Sequence, residues 1–555
     1  MRSVCTVLII FVVATTFCGL AWAENFDPYL HSKAYRYQDW VRQWHTSGLG
    51  GVSDIVFTDE TRQEILQTWG SGDSTDWTAT YLVTQAIRYI VTGEQQARDE
   101  VIRIANYLHI VHDITGDPGY LARYAAPNMP PWNVEYPDCD SCYAAEGEYE
   151  GDFWIGHESR DKYMHWYWGL TWAYLAVDDE DMRSTIRQDF VEVLETLMAN
   201  NWVIIDPWGD IYSGAGIGPD LRLSFLLQTA VVTDDPYWRQ MLDEEYERSK
   251  NILWFTTIAF FNKYMEYFAF INSQAVMQPI FMLWPDRERL EHIYRIWYIN
   301  NRQWQEHTHN AFFDAVYYGA CLRLGGCPEK ELRFIEEDAY HGLTVMYDAP
   351  NYQRQKTCSE LPLDPFSVWA DEFLSHFPAL EEIIDIDPQT AEAHEVEDRC
   401  WTSTLWEVSP YHISCDMDDN PAHVTHGMDY LEAYWMGVYY GVLPGNGPYG
   451  DDDPTDDDTA DDDTGDDDTA DDDSGDDDSG DDDSGADDDT AEDDDAADDD
   501  TTDDDATDDD TADDDMAGDD DTAEDDDAAD DDAGGDDATD DDDAGGGRGG
   551  GGCGC

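Results

Sequence analysis

Asp161-Lys-Tyr-Met-His-Trp-Tyr-Trp-Gly-Leu-Thr-Trp-Ala-Tyr-Leu-Ala-Val177 runs directly into Asp178-Asp179 and then into the charged stretch Asp181–Asn200. The first segment is apolar nearly all round, as a helix buried on every side must be. The second carries its charge on one face. The acidic turn between them offers carboxylates to the free N–H groups of a helix start, where the helix dipole also favours negative charge. The unit reads as a helical hairpin with one buried arm and one half-buried arm.

The unit recurs along the chain. Apolar residues at helical spacing fill Asp76–Thr92, Asp220–Val232, Lys263–Leu283, Ala311–Leu324 and Met428–Leu443. Five of the six buried segments end in a short turn and an amphipathic stretch. The turns are Thr92-Gly93-Glu94, Val177-Asp178-Asp179, Thr233-Asp234-Asp235-Pro236, Trp284-Pro285-Asp286 and Gly326-Cys327-Pro328, and Gln95–His112 is one of the stretches that follow. Pro fits the first turn of a helix. Tyr29–His45 supplies a sixth outer helix at the start of the mature chain. Six buried and six amphipathic helices in alternation imply an all-α fold, an (α/α)6 toroid over residues 24–445, with the last inner helix closing onto the first. An irregular helical array or a solenoid is the other arrangement the pattern allows. Strand signals are few, and Trp202–Asp206 is the best of them.

Both ends of the chain read differently. Met1-Arg2, the apolar run Val7–Val13 and the small-residue end Ala21-Trp22-Ala23 form a secretion signal over residues 1–23, with cleavage expected after Ala23. A lipoprotein signal at Cys18 lacks the preceding Leu and small residues. No later segment offers the length of uncharged apolar chain a membrane span needs. Residues 446–544 form an Asp-rich spacer, in which Asp-Asp-Asp repeats with two small residues between. From Asp451 to Cys555, 54 Asp, two Glu and one Arg contribute −55 of the formal net charge of −96. Such a segment has too little apolar surface to offset ordering entropy and is expected to be disordered and extended by self-repulsion. Residues 545–555, Gly-rich around Arg548, end in Cys553-Gly554-Cys555. The charge excludes nucleic acid as a partner, since phosphate binding needs clustered Lys and Arg.

Export makes disulfides plausible. Cys139 with Cys142, Cys321 with Cys327 and Cys400 with Cys415 are local pairs, leaving Cys358 over; sequence alone does not fix connectivity. One CxxC without a second pair is a weak zinc signal.

Several blocks carry a resemblance. They are Gly72-Asp73-Ser74-x-x-Trp77-Thr78-x-Thr80-Tyr81, Val91-Thr92-Gly93, Thr115-Gly116-Asp117-Pro118-Gly119, Ser159-Arg160-Asp161-Lys162-Tyr163 and Asp429-Tyr430-Leu431-x-x-Tyr434-Trp435-Met436-Gly437. The pattern resembles a poorly characterised bacterial branch of the six-hairpin glycosidase-like class, matching in scattered blocks between Thr68 and Leu443. The resemblance implies a toroid and a carbohydrate substrate or ligand. It leaves open glycoside hydrolase, polysaccharide lyase or a non-catalytic glycan-binding or structural surface protein. The tail resembles the Asp-rich spacers and Gly-Cys sorting signals of myxobacterial-type surface proteins, without the hydrophobic span and Arg cluster that usually follow. That implies secretion with retention at the outer cell surface, and cell-envelope attachment through Cys553 or Cys555.

Glycoside hydrolysis needs a protonated carboxylic acid at the leaving oxygen and a second carboxylate that activates water or attacks the sugar. The candidates stand where inner helices begin. Asp161 opens one beside Arg160, with Tyr163, His165 and Trp166 following; its alternative role is a helix cap paired with Arg160. Asp73 and Asp76 open the first, near Trp77, and compete with an N-cap role. Glu266 sits mid-helix in an apolar setting that would raise its pKa; Lys263 is its alternative ion-pair partner. Asp429 and Trp435 belong to the last inner helix. Trp166, Trp168, Trp172, Tyr434, Trp435 and Tyr439 offer faces for sugar rings, although aromatics at helical spacing are mostly core. His307 and His309 precede an inner helix with Asp314 near, as rim hydrogen-bonders more than as metal ligands, because no third His follows. No motif requires a cofactor. The Asp repeats could hold calcium loosely but lack an EF-hand's Gly and bidentate Glu.

Overall fold

In the computed structural model, the described residues are 25–133, 139, 141–212, 214–256, 267–352, 361–377, 386–399, 404–412 and 420–449. Among them, twelve helices alternate between an inner ring and an outer sheath. The outer helices are α1 (Pro28–Trp40), α3 (Gln95–Asp113), α5 (Glu180–Ala199), α7 (Pro236–Ser249), α9 (Arg287–Asn300) and α11 (Glu329–Val345). The inner ones are α2 (Ser74–Thr92), α4 (Arg160–Ala176), α6 (Pro219–Thr233), α8 (Phe268–Leu283), α10 (Ala311–Leu324) and α13 (Met428–Tyr440). A further helix, α12 (Pro365–Leu374), lies in the segment before the last inner helix.

The ring closes. Each inner helix packs on the next, α2 on α4, α4 on α6, α6 on α8, α8 on α10 and α10 on α13, and α13 returns to α2. The inner helices from α2 to α10 each pack on the outer helix that follows them, while α13 takes the N-terminal α1 as its sheath. This is the all-α (α/α)6 toroid. A solenoid has free ends; here the two ends of the chain's helical series cover each other.

Acidic turns set the outer helices as the turn chemistry implies. The side chains of Asp27, Asp179, Asp235 and Asp286 accept from backbone N–H groups in the first turns of α1, α5, α7 and α9. Two features fix the ring itself. Gly169 on α4 faces α2 so closely that a Cβ there would come within 2.9 Å of the Ala79 carbonyl oxygen. The second is a plug on the axis. Gln278 of α8 accepts hydrogen bonds from the Trp168 and Trp172 indoles of α4 (2.8 and 3.1 Å) and donates to the Tyr440 hydroxyl of α13 at 2.7 Å. Because α4, α8 and α13 are alternate members of the ring, a side chain that touches all three lies at its centre. Trp168 also reaches Phe312 on α10, the helix opposite its own, at 6.1 Å between ring centroids.

Alternation makes the inner helices parallel, so all their N-termini meet one rim. The rim carries two small antiparallel sheets. One has the order β2 (Ile65–Trp69), β1 (Asp54–Phe57), β7 (His423–Thr425), β6 (Asn351–Tyr352). The other has the order β3 (Tyr124–Pro127), β5 (Asp152–Ile155), β4 (Cys142–Ala144). These correct the strand reading. The Trp202–Asp206 stretch forms only a single bridge, Val203 with Gly216, while the paired strands are loop segments of two to five residues, too short for alternation to stand out.

Cys139–Cys142 and Cys321–Cys327 are disulfide-bonded. The signal segment, Glu266 with Lys263, Cys358, Cys400, Cys415, the Asp repeats and Cys553 and Cys555 lie outside the described residues. No helix among the described residues is long and apolar enough to cross a membrane.

Candidate active site

Lys162 is the centre of the rim between α2 and α4. It follows Asp161 at the first turn of α4 and is fully buried, an unusual position for a Lys without partners. It has three. Its Nζ donates to Asp76 Oδ2 and Asp161 Oδ2 at 2.6 Å each and to Asp73 Oδ1 at 2.9 Å. The approach of α2 to α4 allowed by Gly169 brings the two helix starts into this reach.

Asp73 holds the N-cap position of α2 but makes no side-chain capping bond; its carboxylate goes to Lys162 instead. The expected partnership of Asp161 with Arg160 is likewise replaced. Arg160 is exposed, and Lys162 is the cation on Asp161. One arginine organises the surrounding loops. Arg123 donates to the His157 carbonyl (2.9 Å), the Ser159 hydroxyl (3.0 Å) and the Gly72 carbonyl (3.4 Å), joining the segment before α4 to the turn before α2. Its Nε also lies 3.7 Å from Glu158, a buried carboxyl group with no hydrogen bond to either oxygen.

The carboxyl groups are electrostatically unlike. Burial pushes Asp76 up to about 6, against the pull of Lys162 and His165. Its Oδ1 has no hydrogen-bond partner and lies 3.5 Å from His165 Nδ1. Burial also acts on Asp161, but Lys162, a hydrogen bond from Ser159 and Arg123 reverse it and hold the group well below the usual carboxylate range. Glu158 is raised well above its ordinary value by burial, outweighing Arg123 and Lys162. Asp76, with its pKa raised, and Asp161, held ionised, thus sit side by side, their oxygens within 4.8 Å of each other. Asp73, Asp76 and Asp161 are also spaced to share a cation, but the Lys162 ammonium already lies among them.

Exposed aromatic rings accompany the cluster. Trp208, 56% exposed, packs tilted on Tyr143 of β4 at 4.2 Å and lies parallel to Trp154 of β5 at 5.9 Å. Its loop lies against the start of α4: Arg160 N donates to Gly214 O, and Tyr212 packs on His157 at 4.0 Å. Trp69, at the end of β2, is 45% exposed.

The structure therefore gathers Asp73, Asp76, Asp161 and His165, and separates the rest. Tyr163 is buried, its hydroxyl donating to the Gly119 carbonyl and accepting from Leu121 N. Trp166 points outward into the sheath, bonded to Leu108 O and packed on Phe190, and Trp435 packs on His31 and Tyr35 beneath α1. These two are core because their helical phase faces the outer helices, not the axis; Trp168 and Trp172 do face the axis but fill it. Trp77 is buried against His426 at 4.4 Å. Asp429 is walled off, accepting from Leu405 N and Tyr430 N, and burial raises it to about 6. His307 packs on Phe334, and His309 bonds Asp338 of α11. Sequence reasoning left Lys162, Arg123, Glu158, Trp208 and Trp69 unassigned. Only Lys162 had a signal, a second cation, after Arg160, at the start of an otherwise apolar helix and directly after Asp161.

No protein-family model and no curated protein sequence matches the chain. Among solved structures it is similar to a sugar epimerase from a ruminal bacterium, at 10% identity and a TM-score of 0.38, over 57% of this chain and 87% of that one. It is similar to a glycoside hydrolase family 76 mannosidase from Bacteroides thetaiotaomicron, at 7% identity and a TM-score of 0.38, over 74% and 98%. It is also similar to the cellulase Cel9M of C. cellulolyticum, at 10% identity and a TM-score of 0.33, over 67% and 87%.

Proposed function

We propose that this chain is a glycan-active enzyme, a glycoside hydrolase in which Asp76 is the general acid and Asp161 the ionised partner. The observation that carries the reading is the divergence of two neighbouring carboxyl groups, one raised by burial and one held ionised by Lys162. Adjacent acids whose pKa values are pushed apart are what acid–base division of labour requires. Asp76 would protonate the glycosidic oxygen. Asp161 lies too close to it to leave room for an intervening water, which fits direct attack on the sugar more than water activation. Trp208 and Trp69 would stack on sugar rings. Lys162 would position both carboxylates, and its charge would keep Asp161 ionised.

One observation favours a non-catalytic glycan-binding protein on the same scaffold. Lys162 engages all three aspartates, so the cluster also reads as a structural ion network. The two readings separate in a polysaccharide screen with the full mature chain, the wild type beside Asp161→Asn. Removing a reacting carboxylate is expected to lower turnover by about 10²–10⁴-fold. Product formation that survives Asp161→Asn removes that residue from the chemistry; binding without product in the wild type favours the binding protein.

Export and display at the outer cell surface complete the proposal. They rest on the signal-like N-terminus, the Asp-rich spacer and the terminal cysteines. Recovery of the chain in the cytoplasmic fraction with residues 1–23 still attached would overturn them.

A further inference from the structure

A second cluster of ligating side chains lies away from the rim, between two outer helices. His109 and His112 stand one turn apart on α3, so both face the same way. Asp189 of α5 lies opposite them and is buried. His109 Nδ1 is 2.9 Å from Asp189 Oδ2, and His112 Nδ1 is 3.5 Å from Asp189 Oδ1. The two imidazole nitrogens and a carboxylate oxygen all fall within 4.8 Å of one another. A tetrahedral zinc with bonds of about 2.1 Å separates its ligands by about 3.4 Å, so these spacings bracket what the ion needs.

The hydrogen bonding of His112 points the same way. Its Nε2 lies 2.9 Å from the Pro118 carbonyl, an acceptor, so that nitrogen carries the proton. When the ring is neutral, Nδ1 is then its lone-pair nitrogen. It is buried and faces Asp189 Oδ1 at 3.5 Å, without good hydrogen-bond geometry. A lone pair facing a carboxylate is repulsive unless a proton or a metal ion stands between them. A backbone carbonyl fixing the tautomer from behind is the usual support of a metal-bound imidazole. His109 is partly exposed and leaves an entry path and a fourth position for water. Glu192 and Asp113 add negative charge nearby.

We propose that His109, His112 and Asp189 form a zinc-class divalent metal site that ties α3 to α5 and, through Pro118, steadies the turn leading to Arg123. Two nitrogen donors select a late transition metal over calcium or magnesium, which prefer all-oxygen sites.

The test uses Co2+ as the optical probe on the full mature chain in mildly alkaline buffer. Four-coordinate cobalt gives an intense visible band, whereas cobalt held octahedrally by the Asp-rich tail does not. The expected result is a band that saturates at one equivalent, is displaced by Zn2+, and disappears in His109→Ala. That variant removes a partly exposed side chain, and its circular dichroism is expected to match the wild type. Asp189→Asn should weaken the band-forming affinity at least about tenfold. No intense band at stoichiometric Co2+, or a band that survives His109→Ala, would overturn the site and leave a histidine–aspartate ion pair.

Discussion

Lys162 at the rim and Gln278 on the axis are both hubs, each binding three partners and tying inner helices together, yet they are built from opposite materials. Gln278 joins two indoles and a phenol through a neutral amide. Every group involved is dry and matched, so little changes when pH or solvent changes. Lys162 joins three carboxylates with one positive charge. That leaves an excess of negative charge, an Asp76 oxygen without a hydrogen bond, and an Asp73 side chain 55% exposed. The axis holds the ring together; the rim keeps chemical potential unspent. One helix contributes to both: α4 carries Lys162 at its first turn and Trp168 and Trp172 further along.

Substitutions can separate the hubs. Asp76→Asn is expected to lower turnover on any hydrolysed polysaccharide by about 10²–10⁴-fold while the melting temperature stays close to the wild type, since Lys162 keeps two carboxylates. In the wild type, kcat/KM should fall as pH rises through about 6, where Asp76 loses its proton; a flat profile there would remove it as the acid. Trp168→Ala should do the reverse, costing about 3–5 kcal/mol in chemical denaturation with turnover per folded molecule preserved. A variant that lost activity first would mean the axis and the rim are not separable.

Acid should expose a third difference. His45, His423 and His426 are buried close to the rim sheet; burial lowers His45 and His423 to about 4 and His426 well below its usual value. They are neutral when folded and take up protons near 6.5 when unfolded. Their contribution is therefore full above about 6.5 and lost as pH falls toward 4, at about 3 kcal/mol for each of the first two. Denaturation midpoints across that window measure it, and His423→Gln should flatten the slope. The smallest effect concerns the link between the hubs. Gly169→Ala should push α2 from α4 at a cost of about 1–3 kcal/mol and lower turnover by loosening the grip of Lys162 on Asp76. Stability lost with turnover intact would show that rim spacing is set elsewhere.

The helical ring was legible because each inner segment is apolar on all faces and each outer one is not. Ala311–Leu324 matches its helix end for end, and the series from Tyr29 to the last inner helix closes as the alternation implies. The sheets were hidden because strands such as Asn351–Tyr352 are too short to carry a period. At the rim, the acids were legible by position, since helix starts favour Asp. Their roles were not, because Asp73 occupies a cap position without capping. Trp166 and Trp435 were misread for a related reason. Composition says that an inner helix is rich in aromatics, but only three-dimensional phase says which of them faces the axis.

The filled axis has a consequence for traffic. Among the described residues, a ring plugged by Trp168, Trp172, Gln278 and Tyr440 leaves no back door. A polymer cannot be threaded through it, and anything that reaches the aspartates must arrive and depart over the same rim. Under the proposed hydrolysis, cleavage would be hit-and-release: a strand would lie across the surface, be cut, and both fragments would leave on the side from which they came.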